Sequence, residues 1–257
     1  MKLKVDLNCD LGESFGDFKI GFDSEVMLYI TSANIACGFH AGDPVVMAKT
    51  VKLAKQRNVA IGAHPGFPDL MGFGRRELKL TEEEATKYVI YQIGALQAFA
   101  KAAGAELQHV KPHGALYNMA TKDQTLAKAI VAAVDAVDSR LIIFAVAESE
   151  LAKAASEAGL RVAREVFADR AYNSDGSLVS RTVAGAVIED SEIVAKRAMS
   201  MVKENRVTAI DGKIVKLGEA HTICVHGDNP EAVAMVKTLR KGLEKADVEV
   251  ASVNKFL

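Results

Sequence analysis

The sequence predicts an α/β protein built on a parallel β-sheet, and three observations lead to this fold class. Seven short β-type runs alternate with amphipathic helical stretches along the chain, a pattern typical of parallel sheets. The length of 257 residues matches a barrel of alternating strands and helices, which typically needs about 250 residues. Polar side chains recur just after the β-type runs, where strand ends would surround a site. An open, doubly wound sheet is the competing architecture.

The predicted strands are short apolar runs at residues 3–8, 33–37, 59–63, 107–110, 141–146, 160–166 and 222–225. Helix starts lie between several of them. Thr81 and Glu84 form a capping box, in which the Thr oxygen binds a helix amide and the Glu reaches back to the cap. A second box is predicted at residues 121–124, and Asn229 followed by Pro230 predicts the start of the last helix. Each start is followed by apolar residues at helical spacing, so these helices should each bury one face.

Residues 210–213 (IDGK) resemble the turn of a small antiparallel hairpin, with Gly at a conformationally permissive position. We expect this hairpin to lie on the edge of the main fold. No Pro- or Ser-rich linker divides the chain. Residues 1–257 are therefore predicted to form a single (β/α)-barrel domain.

Composition excludes several classes of protein. Lys and Arg number 32 against 33 Asp and Glu, whereas nucleic-acid and membrane-surface proteins usually carry a basic excess. The longest apolar run, residues 141–147, is far shorter than the roughly 20 residues that a membrane span needs. Acidic residues near the N-terminus argue against a signal peptide, so we expect a cytoplasmic protein. The three cysteines lie far apart and form no CxxC pair, which indicates neither a disulfide framework nor a cysteine zinc site.

Titratable and polar residues concentrate directly after the predicted strands. In a parallel barrel all strands open at their C-terminal ends on one face, which carries the active site. Convergence of so many such groups from separate segments is typical of an enzyme. The residues in question are Asn8, Asp10, Glu13, His40, Asp43, His64, Lys111, His113, Asp169, Arg170, His226 and Asp228.

The six histidines do not all carry the same prediction. Four of them, His40, His64, His113 and His226, follow strands, and we expect at least two to line a functional site. The other two, His109 and His221, lie before or inside strands, which favours a structural role. The glycine-rich segment 64–76 is too long for a tight turn and is interpreted as a loop over the site, with glycine hinges.

Six segments together resemble the LamB/YcsF family of lactam-utilisation proteins. The similarity runs in order from residue 5 to about residue 245 and shows no departure at the polar positions named above. The motifs are DLNCDLGESFG at 6–16, NIACGFHAGD at 34–43, GAHPGFPD at 62–69, VKPHGALY at 110–117, EVFADR at 165–170 and VHGD at 225–228.

This resemblance implies a distorted (β/α) barrel of about seven parallel strands, like that of carbohydrate deacetylases. It also implies ATP-dependent opening of 5-oxo-L-proline to L-glutamate together with two partner subunits, B and C. ATP with Mg²⁺ would be a co-substrate, bound here or on the partner subunits. The sequence contains no GxxxxGK[ST] phosphate loop, so phosphorylation on a partner, with this chain completing the site, is an alternative to an ATP site of its own.

Hydrolysis of a cyclic amide requires an activated water, stabilisation of negative charge and protonation of the ring nitrogen. Asp10 is the predicted general base, with Glu13 or His64 tuning or replacing it. Lys111 is suited to an oxyanion or phosphate, and His40, His113 and His226 to proton donation and orientation. Arg170 and Arg181 are predicted to bind the substrate carboxylate. The predicted substrate-binding group is Asn8, Asp169, Arg170, Arg181, His226 and Asp228.

A metal-dependent amide hydrolase or deacetylase is the alternative function. Asp10, His40 and His64 resemble the Asp/His/His set that holds a divalent ion in barrel deacetylases. Two imidazoles and a carboxylate suit zinc with one open position. The HxxxH pair typical of those enzymes is not evident at His40 or His64, so a metal is not the favoured prediction.

Overall fold

The computed structural model describes residues 2–226 and 231–257 and contains a closed parallel β-barrel. Seven strands form it in the order β1-β2-β3-β4-β5-β6-β9, and β9 pairs back with β1 to close it. This closure confirms the predicted barrel over the open sheet. The strands of the described residues are β1 (Lys4–Leu11), β2 (Ser32–Ala36), β3 (Ala60–His64), β4 (Leu107–Val110), β5 (Ile142–Val146), β6 (Val162–Phe167), β7 (Arg206–Thr208), β8 (Ile214–Lys216), β9 (Thr222–His226) and β10 (Glu249–Val250).

Helices surround the barrel and pack on it through apolar faces. Alternate side chains of β1 such as Leu7, Cys9 and Leu11 belong to the apolar layer between barrel and helices. The intervening residues of the same strand face the barrel interior, because successive side chains of a strand point to opposite sides. The helices are α1 (Asp23–Val26), α2 (Pro44–Gln56), α3 (Glu82–Ala102), α4 (Gly114–Ala120), α5 (Gln124–Asp138), α6 (Glu150–Glu157), α7 (Ser191–Lys203) and α8 (Ala232–Lys245).

The helix starts follow the sequence predictions only in part. Thr81 and Glu84 form the predicted capping box at the start of α3. The second predicted box is wrong: Thr121 ends α4, and the N-cap of α5 is Asp123, which accepts hydrogen bonds from the amides of Thr125 and Leu126. Asp is a strong N-cap residue, so α5 begins two residues after the predicted box. The predicted start of α8 at residues 229–230 lies outside the described residues.

Two additions accompany the barrel. β7 and β8 form the predicted antiparallel hairpin, with Val207 opposite Val215. At the N-terminal end of the barrel, β10 pairs with the first residues of β1, and a 3₁₀ turn at Val253–Lys255 follows it. Val253 is fully buried there against Ile142 and Phe144. The chain's C-terminal segment therefore fills the end of the barrel opposite the strand C-termini.

The barrel interior contains a buried carboxylate near this closed end. The hydroxyls of Thr31, Ser32 and Thr222 donate to Asp6 at 2.6, 2.7 and 2.5 Å. Asp6 is fully buried, and its burial raises its pKa to about 6 despite these hydrogen bonds. The folded protein therefore binds this proton more tightly than the unfolded chain does.

We expect Asp6 to make folding stability depend on pH. The stabilisation by protonated Asp6 is complete below about pH 4, which is near the pKa of this carboxyl in the unfolded chain. It is lost as the pH rises through about 6, the pKa in the folded protein. Asp6→Asn cannot titrate, so from about pH 4 to pH 7 its stability should improve relative to wild type, by about 1–3 kcal/mol. Urea melts at each pH measure this difference, with Asp17→Asn on the exposed surface as the control. Parallel pH profiles for Asp6→Asn and wild type would contradict the assignment.

Candidate active site

The C-terminal mouth of the barrel brings together the six residues predicted to be catalytic. They come from β1 and the turn after it, the loop after β2, the end of β3 and the segment that follows β4. Each is 8% exposed or less, so the cluster lies within the mouth rather than on its rim. The six are Asp10, Glu13, His40, His64, Lys111 and His113.

Lys111 is the cation at the base of this cluster. Its Nζ lies 3.0 Å from Asp10 Oδ1, 3.0 Å from Glu165 Oε1 and 3.0 Å from Cys224 Sγ. Burial alone would lower the pKa of this amine, but the charges of its neighbours, chiefly Asp10, raise it well above the ordinary value. Lys111 therefore stays protonated, and a substrate oxyanion would have to replace one of these acceptors to reach it.

Asp10 connects Lys111 to the histidines. Its Oδ1 accepts hydrogen bonds from Lys111 and, at 2.8 Å, from the amide of Asn34. Its Oδ2 lies 3.3 Å from Nε2 of His64. One oxygen is thus held by fixed donors below, and the other faces the imidazoles at the mouth, where a general base would have to act.

Three histidine rings lie in contact above Asp10. His40 and His113 stack with centroids 3.7 Å apart and planes within 1°, and His64 stands perpendicular to both. Nε2 of His40 is 3.3 Å from Oε1 of Glu13. Burial lowers the pKa of His40 and of His113 well below the ordinary value, so these two rings are neutral near pH 7.

Residues of the glycine-rich segment lie against the rings of His40 and His113, as predicted for a loop over the site. The carbonyl of Phe73 accepts a hydrogen bond from Nε2 of His113 at 2.8 Å. Gly74 has a φ of +63°, and a Cβ there would lie 2.7 Å from Cβ of His40. Only glycine permits this backbone to approach so closely. Arg76 pairs with Asp69 of the same loop, while the guanidinium of Arg75 lies 4.9 Å from the centre of the Phe73 ring.

The residues predicted to bind substrate are more dispersed. Asn8 is fully buried below Lys111, with its amide donating to Glu165 and Thr222. Arg170 donates to the carbonyls of Val179 and Ala186. Burial, followed by the charge of nearby Arg181, lowers the pKa of Arg170.

The remaining three members of that group have different surroundings. Asp169 is buried beside Arg170, whose charge interacts with it. His226 is the last residue of β9 and pairs in register with Asp10, but its side chain is not described. Asp228 lies outside the described residues. These substrate-binding roles stay predictions.

Sequence reasoning missed a set of buried partners beneath the cluster. Glu165 accepts hydrogen bonds from Tyr117 at 2.7 Å and Asn8 at 3.0 Å and is paired with Lys111. Asn34 orients both Asn8 and Asp10. The signal that could have found this set was Glu165, an acidic residue of β6 that shares the inward-facing side of the strand with Ala163 and Phe167.

The structure places His109, Cys9 and Cys37 away from catalytic geometry. His109 is buried in the barrel, bonded to Asn34 Oδ1 at 2.7 Å and stacked on Phe144. Burial lowers its pKa to about 3. Cys9 and Cys37 are buried, and burial raises the pKa of both thiols, so neither has the thiolate character of a nucleophile.

Four side chains of the cluster form a possible metal site. One ligand atom from each of Glu13, His40, His64 and His113 lies within 4.8 Å of the others. Neutral imidazoles and a carboxylate are donors that suit zinc and neighbouring ions. This set shares His40 and His64 with the alternative drawn from the sequence, and contains Glu13 and His113 in place of Asp10.

Comparison with known proteins finds relatives along nearly the whole chain. The sequence profile of the LamB/YcsF family matches residues 5–257. The chain belongs to the LamB/YcsF family. A relative from Pyrococcus abyssi, named as the A subunit of 5-oxoprolinase, is 60% identical over 99% of this chain and 100% of its own length. The crystal structure of a lactam utilization protein from Thermus thermophilus has 49% identity and a TM-score of 0.91, covering 97% of this chain and 99% of that one.

The LamB/YcsF barrel also resembles that of deacetylases, as the sequence predicted. A polysaccharide deacetylase from Bacillus cereus superimposes with a TM-score of 0.51 at 14% identity, covering 100% of this chain and 95% of that one. At this identity the likeness concerns the fold alone. Among the described residues, no helix combines the length and apolar character needed to cross a membrane.

Proposed function

We propose that this chain is the A subunit of a 5-oxoprolinase, which acts with partner subunits B and C to open 5-oxo-L-proline to L-glutamate at the expense of ATP. The observation that carries this proposal is full-length similarity: relatives 53–60% identical over nearly all of both chains are named as the A subunit of 5-oxoprolinase. The clustered titratable groups at the barrel mouth support it, because they supply the acid–base groups that amide hydrolysis requires.

ATP overcomes two obstacles in this reaction, the resonance of the amide and the stability of an unstrained ring. The carbonyl oxygen attacks the γ-phosphorus of ATP, and ADP leaves. Water then adds to the activated ring carbon, the carbon–nitrogen bond breaks and the nitrogen takes a proton. A second water releases phosphate and leaves glutamate. We propose that ATP binds with Mg²⁺ in the assembled complex, which also makes the cytoplasm the proposed compartment.

The described residues suit the hydrolytic steps of this scheme. Asp10 Oδ2 is the proposed base, with Glu13 or His64 tuning or replacing it. His40 and His113 stay the proposed candidates for proton donation to the ring nitrogen and for orientation of the substrate. Arg170 and Arg181 carry positive charge close together, which favours an anionic substrate, so they remain the proposed carboxylate-binding pair.

The deacetylase alternative is not favoured, because its support is fold similarity at low identity. One experiment separates the two functions. We expect glutamate release from 5-oxo-L-proline, ATP and Mg²⁺ when this chain is mixed with purified subunits B and C, and none from B and C without it. The positive control replaces this chain with the Pyrococcus abyssi relative. If that control releases glutamate and this chain does not, the proposal is wrong.

A further inference from the structure

The facing nitrogens of His64 and His113 pose an electrostatic problem. Nδ1 of His64 lies 2.7 Å from the carbonyl oxygen of Lys111, and Nε2 of His113 lies 2.8 Å from that of Phe73. A carbonyl oxygen can only accept, so both of these nitrogens carry the ring hydrogen. In rings that carry one hydrogen each, the other two nitrogens, His64 Nε2 and His113 Nδ1, present lone pairs, and these two atoms lie 2.9 Å apart.

Two lone pairs at this distance repel unless a cation lies between or beside them. The arrangement around them is typical of metal-ligating histidines, which usually donate their second ring nitrogen to a carbonyl or carboxylate that fixes the tautomer. Both rings do so here, on carbonyls from different segments of the chain. The backbone therefore aims both lone pairs at one point.

Glu13 supplies a third ligand atom at this point. Its Oε1 lies 3.6 Å from Nδ1 of His113. Tetrahedral zinc with bonds of 2.0–2.2 Å separates its ligand atoms by about 3.4 Å. The distances from His113 Nδ1 to His64 Nε2, 2.9 Å, and to Glu13 Oε1, 3.6 Å, lie on either side of this value.

His40 fits a different role. Its ring is parallel to that of His113 and stacked on it at 3.7 Å. An imidazole binds a metal in its own plane, and two stacked parallel rings share no such plane. Nε2 of His40 instead faces the same Glu13 oxygen at 3.3 Å, where it donates a hydrogen bond and positions that carboxylate.

We propose that Glu13 Oε1, His64 Nε2 and His113 Nδ1 hold a divalent first-row transition ion, with His40 as a positioning residue for Glu13. Asp10 Oδ2 lies 3.3 Å from one of these ligand atoms, His64 Nε2. Such an ion would supply a Lewis acid to an oxygen of the substrate. The inference rests on these side chains and not on the identity of the substrate.

Metal titration of the isolated chain tests this site without partners or substrate. Protein stripped with chelator and dialysed is titrated with Zn²⁺ by calorimetry and with Co²⁺ by visible absorption. We expect one ion per chain, d–d bands for Co²⁺ and much weaker binding of Mg²⁺, which prefers oxygen ligands. His64→Ala, His113→Ala and Glu13→Gln should each weaken Zn²⁺ binding by more than about 100-fold, and His40→Ala by about 10- to 100-fold.

His221→Ala is the matched control, since His221 lies beside Arg164 and Glu219 outside this cluster, and it should bind Zn²⁺ as wild type does. Thermal melts show whether each variant is folded, and Glu13→Gln keeps the test valid if a histidine variant unfolds.

Absence of stoichiometric Zn²⁺ binding by wild type would overturn the proposal. The short distance between the two rings would then be explained by a proton that they share. Wild-type affinity in folded His64→Ala or His113→Ala would overturn it too, as would equal affinity for Mg²⁺. None of these results bears on glutamate release by the full complex.

Discussion

Asp10→Asn should lower glutamate release by the assembled complex about 100- to 10,000-fold, the range typical of losing a general acid–base group. The amide retains the shape of the carboxylate and an oxygen for Lys111 and Asn34. It cannot accept a proton from water at the oxygen that faces His64. The measurement is kcat at saturating 5-oxo-L-proline and ATP, with fixed excess of subunits B and C.

Asp17→Asn is the control for this substitution, because it makes the same chemical change at an exposed position in the loop after β1. It should retain kcat within about twofold, as expected for a surface change. A thermal melt confirms that Asp10→Asn is folded. If kcat for folded Asp10→Asn stays within about threefold of wild type, Asp10 is not the base, and Glu13 and His64 become the residues to test.

Lys111→Met should destabilise the protein by about 3–5 kcal/mol, which is the usual cost of removing one partner from a buried ion pair. Lys111 is 3% exposed and lies 3.0 Å from both Asp10 and Glu165. Methionine has a similar length but no charge, so two carboxylates would be left together in the barrel interior without a cation. Urea denaturation at about neutral pH measures the loss of unfolding free energy.

Two further variants show whether uncompensated charge is the cause. Lys111→Met combined with Glu165→Gln removes one of the two carboxylates, so its loss should be smaller than that of Lys111→Met alone. Lys153→Met breaks an exposed pair with Glu150 and should change stability by less than about 1 kcal/mol. Equal losses in the single and double variants would mean that packing, and not charge, explains the effect.

The residues of the site could be predicted from the sequence where they lie at the ends of predicted strands. Asp10, His64 and Lys111 come from strand ends that are distant in the chain, yet a parallel barrel places all such ends on one face. That rule needs only the strand positions and the residues after them. The same reasoning could not orient individual side chains, so it treated His40 and His113 as equivalent. In the structure Nδ1 of His113 lies 2.9 Å from His64, whereas Nε2 of His40 lies 3.3 Å from Glu13.

The partners of Lys111 illustrate what the rule leaves out. Glu165 and Asn8 are 157 positions apart, and their hydrogen bond forms because β6 and β1 both border β9 in the closed barrel. Which two strands lie on either side of the closing strand β9 depends on how the whole sheet folds. A local pattern therefore shows that Glu165 points inward, but not what it meets there.

Helix starts show the limit of local rules at closer range. Thr81 and Glu84 cap α3 as the spacing predicts, since both partners lie within one helical turn. At the start of α5, Asp123 caps the helix two residues after the predicted Thr121 and accepts from the amides of Thr125 and Leu126. The reason is that α4 extends to Ala120 and uses Thr121 to end its own last turn.

By itself, the sequence determined the alternation of strands and helices, the hairpin near residue 210 and the six titratable residues at the mouth, because periodicity and strand-end position are local properties. Only the tertiary structure decided that the sheet closes, that the C-terminal segment fills its far end and that nitrogens of His64 and His113 lie 2.9 Å apart. Those features depend on contacts between segments far apart in the chain. Their energies come from burial and from hydrogen bonds that exist only once the barrel has closed.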